Sequence, residues 1–90
     1  MKSYKFYSDA GHGWLAVKRS ELIALDMIGK ITGYSYQRGN TVYLEEDCDM
    51  TRFLMEVGRS GCNIVEKHCD RSPIRSYDKF RPLTFTDMSV

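Results

Sequence analysis

Tyr34-Ser-Tyr-Gln-Arg-Gly-Asn-Thr-Val-Tyr-Leu-Glu-Glu-Asp-Cys-Asp49 decides the fold. Two runs that alternate apolar and polar residues flank Gly39-Asn40. Alternation at period two around such a dipeptide specifies a β-hairpin. The second arm places Val42 and Leu44 on one face and Thr41, Tyr43 and Glu45 on the other. Asp47 and Asp49 follow as candidate N-caps of a helix, because a short acidic side chain accepts from the free N–H groups of a first turn. Met50, Phe53, Leu54 and Val57 then recur at i, i+3, i+4 and i+7, the stripe of an amphipathic helix over about 50–59.

The same reading extends outward. Tyr4–Ser8 and Trp14–Lys18 alternate like strands around the turn cluster Asp9-Ala-Gly-His-Gly13, whose glycines are expected at positive φ. Ser20 and Glu21 open a short helix through Leu22, Leu25 and Ile28, with Gly29 and Ile31 as its Schellman stop. Asn63–His68 is a last strand. The order β-β-α-β-β-α-β predicts an α+β domain. An antiparallel-rich sheet carries two short helices on one face, in a ferredoxin-like split βαβ arrangement. Residues 1–90 form one domain, with 69–90 an extended C-terminal tail that contains Pro73 and Pro82.

Composition removes several classes. A net charge of +1 gives no overall field to draw in nucleic acid or an anionic membrane. No apolar run reaches the roughly 18 residues of a membrane span, and the N-terminus lacks the apolar core of a signal peptide. A cytoplasmic protein is expected. Cys48, Cys62 and Cys69 lack paired spacing, so free thiols are expected and a zinc site with His68 is not. No cofactor motif is present.

Ser8, Asp9 and His12 lie in one tight loop, where a nucleophile, its base and an orienting acid cannot align. No catalytic residue is assigned, and the chain is expected not to be an enzyme. Two binding surfaces remain. Glu45, Glu46, Asp47 and Asp49, with Tyr43, form an acidic patch suited to a basic protein surface. Lys67–Arg81 carries net charge +3 with interleaved aromatics. Lys67, Arg71, Arg75 and Arg81, with Tyr77 as a stacker, form an alternative nucleic-acid-binding set. Tyr34, Tyr36 and Tyr43 are cross-strand packing residues, or a stacking platform if two of them share the open sheet face.

Taken together, Gly11–Trp14 (GHGW), Ser35–Gly39 (SYQRG), Tyr43–Asp49 (YLEEDCD) and Ser72–Tyr77 (SPIRSY) resemble a family of small proteins carried by bacteriophages and bacterial mobile elements. The resemblance implies a small protein in the bacterial host cytoplasm. It implies binding to and inhibition of a host protein, as anti-defence factors of the anti-CRISPR type do.

Overall fold

The structure is a computed structural model that describes residues 2–82. Six strands form one mixed sheet: β1 (Lys2–Ser8), β2 (Gly13–Lys18), β3 (Tyr36–Arg38), β4 (Thr41–Glu45), β5 (Cys62–His68) and β6 (Asp78–Lys79). Helix α1 (Arg19–Ala24) follows β2, and helix α2 (Asp49–Val57) follows β4. Among the described residues, no helix is long and apolar enough to cross a membrane.

The strand order is β5-β1-β2-β4-β3-β6. Every pairing is antiparallel except β1 with β5. The α+β class is as expected; the seven-element order and the ferredoxin-like arrangement are not. The tight turn at residues 9–12 makes β1 and β2 a hairpin, and β5 adds in parallel directly beside β1. A split βαβ unit needs a strand between its two parallel strands, and here there is none. The sixth strand was missed because β6 is two residues long and pairs only with β3 at the sheet edge.

One face of the sheet is the core. Tyr4 of β1, Leu15 and Val17 of β2, and Val42 and Leu44 of β4 pack against Leu22 of α1 and Phe53 and Leu54 of α2. Phe53 is fully buried, as its helical stripe predicts, and Tyr4 meets it edge-on with ring centroids 5.4 Å apart. Segment 69–82, read from sequence as the start of a tail, has a 3-10 turn at Pro73–Ser76 and buries Ile74 and Phe80. Residues 83–90 of that predicted tail lie outside the described residues.

Local chemistry explains the turns. Gly39 takes φ 59° while Asn40 keeps negative φ, the pattern of a two-residue hairpin with glycine first. Gly11 and Gly13 do not take positive φ, against expectation. Gly13 is required for space instead: a Cβ there would stand 2.2 Å from Cζ of Phe6.

Helix α1 stops earlier than Gly29. The N–H of Met27 bonds the Leu22 carbonyl and that of Asp26 bonds Ile23, which is a Schellman motif. Asp26 supplies its left-handed residue, at φ 57°. Met27 and Leu22, both buried, make the accompanying apolar contact. Glycine occupies that conformation without the Cβ penalty. Asp26 is exposed, so Asp26→Gly should raise unfolding free energy by about 0.5–1 kcal/mol in urea titration. A loss of stability would show that the aspartate side chain compensates for its backbone.

Candidate functional site

Alternation along each strand leaves a second sheet face that neither α1 nor α2 covers. Its residues follow from the register. One row across the sheet is Val65, Lys5, Ala16, Tyr43, Tyr36 and Lys79. A second is Lys67, Tyr7, Trp14 and Glu45, and a third sets Lys18 beside Thr41 and Arg38. Aromatic rings fill the middle, and cations surround them.

The rings form two contacting groups, Tyr7–Tyr43–Tyr77 and Trp14–Tyr36, adjacent where Tyr43 pairs with Tyr36 in the register. Tyr7 meets Tyr43 with centroids 6.1 Å apart, Tyr43 meets Tyr77 at 5.2 Å, and Trp14 meets Tyr36 at 6.1 Å. Burial, together with the neighbouring Tyr77 and Tyr7, raises the pKa of Tyr43 above the ordinary tyrosine value, so its hydroxyl stays neutral at physiological pH. Three cations already lie over ring faces: Lys79 Nζ is 4.4 Å from the Tyr36 centroid, and the guanidinium carbons of Arg38 and Arg75 are 4.9 and 5.6 Å from Tyr77 and Trp14. Lys5, Lys18, Arg38, Lys67 and Lys79 are exposed, and Glu45 is the acid that the register sets among them.

The proposed nucleic-acid set divides. Lys67 and Tyr77 belong to this face. Arg75 stands at its margin, held by Asp9, whose carboxylate accepts from Arg75 Nε at 2.8 Å and Nη2 at 3.0 Å. Asp9 also accepts from the backbone N–H groups of Gly11, His12 and Ser72, so one side chain ties the β1–β2 turn to the returning chain. Arg81 turns to Asp78 at 3.8 Å, and its backbone N–H bonds Gln37. Arg71 is exposed in the loop beside the Asp9–Arg75 pair. Sequence reasoning missed Lys5, Tyr7, Lys18 and Arg38. Period two could assign each a side of its own strand, but not the strands that would lie beside it.

The acidic set divides too. Asp49 is fully buried. It accepts from the Thr32 N–H, the Thr32 hydroxyl at 2.7 Å and the Ser35 hydroxyl. It makes no side-chain cap to its own helix, which starts at Asp49 after Cys48. Its charge is spent inside the protein and is not displayed to a partner. Glu45 accepts from the Asp47 N–H within the turn, Glu46 is half-buried, and Asp47 is exposed. Glu45 and Asp47 share a cavity lining with Tyr34, which is 69% exposed; Tyr43 lies instead against Tyr7 and Tyr77.

No side-chain arrangement here resembles a catalytic relay. The Ser8 hydroxyl donates to Glu66 at 2.7 Å and lies 3.0 Å from His68 Nδ1. The hydroxyl is therefore the central member, whereas a relay needs the histidine between hydroxyl and acid. His12 is exposed with its ring 6.0 Å from Trp14. Among the described residues no three His, Cys, Asp or Glu side chains gather as a metal site would need, and Cys48, Cys62 and Cys69 are free thiols. Comparison with family models, curated proteins and solved structures returned no match.

Two tests follow. Asp49→Ala strands the Thr32 and Ser35 donors in the interior and should cost about 2–4 kcal/mol, whereas Asp47→Ala should stay within about 0.5 kcal/mol. Equal effects in chemical denaturation would place Asp49 at the surface. For Asp9, the Arg75 hydrogen bonds hold the carboxyl far below its ordinary value of 3.8. A group with a depressed folded-state pKa stabilises above its unfolded value, and that contribution fades as pH falls below it. The wild-type melting temperature should therefore drop more steeply than that of Asp9→Asn between about pH 5 and pH 2. Parallel curves would mean that the clamp does not titrate.

Proposed function

We propose that this protein binds single-stranded nucleic acid on the helix-free face of its sheet. The observation that carries the reading is the set of half-buried rings Tyr7, Tyr43, Tyr77 and Tyr36, the last backed by buried Trp14, with exposed Lys and Arg around them. Unpaired bases stack on such rings without regard to sequence, and the backbone phosphates meet the cations. Net charge understates this capacity, because Asp26 follows α1, Glu56 lies on α2 and Glu66 alternates to the other side of β5, whereas Lys5, Lys18, Arg38 and Lys67 share this face. The binding role is non-catalytic.

Fluorescence anisotropy with a labelled 20-nucleotide strand tests it. Binding should weaken with salt, with a log–log slope of about −2 to −3 for three or four phosphates. Lys5→Glu with Lys67→Glu should lower affinity at least about tenfold and flatten that slope. No binding at about 50 μM protein in low salt would remove the reading.

A second reading keeps the host-protein inhibitor that the mobile-element resemblance suggests, with a CRISPR or other defence complex as target. Exposed Asp47, half-buried Glu45 and Glu46, and exposed Tyr34 support it as a surface for a basic partner. Reversal of Glu45, Glu46 and Asp47 to Lys separates the two. Nucleic-acid affinity should rise under the first reading, whereas inhibition of a defence complex should be lost under the second.

A further inference from the structure

We propose that the depression over Ala16 is a pocket for one unpaired nucleobase of the strand bound on this face. The inference deepens the nucleic-acid reading and rests on it. Ala16 is the smallest residue of its row, set between Lys5 and Tyr43. The β1–β2 pairing ends at Lys5 and Ala16, and an open cavity of about 390 Å³ lies beside that end. That volume is in the range of small-ligand clefts.

The walls match a base and its phosphate. Tyr7 and Tyr43 come from the strands on either side of β2, and their rings meet with centroids 6.1 Å apart, so they close one side. Lys5 and Lys18, both exposed, border the cavity and supply the charge that a strand's phosphate seeks. Glu21 is the acid among the lining residues. It receives the Tyr4 hydroxyl, and Lys2 Nζ lies 3.5 Å away, so its charge is compensated and does not repel a phosphate. A base lying on the Ala16 methyl would have the tyrosine rings beside it and ammonium groups at its sugar–phosphate edge. Duplex DNA presents no unpaired base to the pocket, which therefore selects single strands.

Two 12-nucleotide probes test this: oligo(dT) and an abasic strand of equal length, which has the same phosphates without bases. The wild-type protein should prefer oligo(dT) by well over about tenfold, because the pocket base and the bases on the open rings each contribute. Ala16→Phe fills the depression with a residue that strands accept. It should cut the preference by about tenfold, the share of one stacked base, while bases on the remaining rings keep part of it. Ala16→Val, a partial fill with a strong strand former, should give an intermediate preference if the phenylalanine variant fails to fold. A wild-type protein that binds both strands equally would overturn the pocket together with the stacking face. A preference that neither substitution lowers would overturn the pocket and leave the face standing. Failure to bind either strand at low salt would overturn both.

Discussion

The carboxylate of Asp49 holds the sheet's far half together. It stands at the first turn of α2, where the helix dipole favours negative charge, yet its hydrogen bonds run to the loop before β3. Ser35, one of its donors, accepts from the Glu45 N–H at the end of β4 and, through its carbonyl, from the Phe80 N–H after β6. Helix α2, the hairpin arms and the edge strand thus meet at one buried carboxyl group. A buried carboxyl is tolerated when several donors converge on it, as the Thr32 and Ser35 donors do here.

Asp9 does the same work for the other end of the face. It gathers Gly11, His12, Ser72 and Arg75, so the chain that leaves β5 folds back over Trp14. Trp14 is 2% exposed although it belongs to the helix-free face. The return also brings Tyr77 against Tyr43 and completes the ring cluster. Asp9 and Asp49 are therefore structural, their carboxyl oxygens already taken up by donors within the protein, whereas Glu45 stands on the candidate face itself.

That division explains why net charge misleads. The sum of +1 describes the whole chain, whereas a ligand meets one side of it. Strand alternation puts Lys5, Lys67 and Arg38 on the side away from the helices, and α2 carries Glu56 on its own surface. A neutral chain becomes a protein with a basic, aromatic face because the sheet sorts its side chains by parity.

Local pattern alone determined a good deal. The Gly39-Asn40 hairpin, the Phe53/Leu54 face of α2, and strands near β1, β2 and β5 were legible, since each depends on the period of a few consecutive residues. The Schellman stop was legible in kind but placed at Gly29, because glycine is the usual left-handed residue and Asp26 takes that role here. Only the tertiary structure decided the rest. The parallel pairing of β1 with β5 joins residues about 60 positions apart, and β6 exists only because β3 offers it an edge. Asp49 could not be told from its acidic neighbours, since burial is a property of what packs around a residue. For the same reason, Tyr7, Tyr43 and Tyr77 were readable as strand and tail residues one by one, and became a surface only once β1, β4 and the returning chain lay side by side.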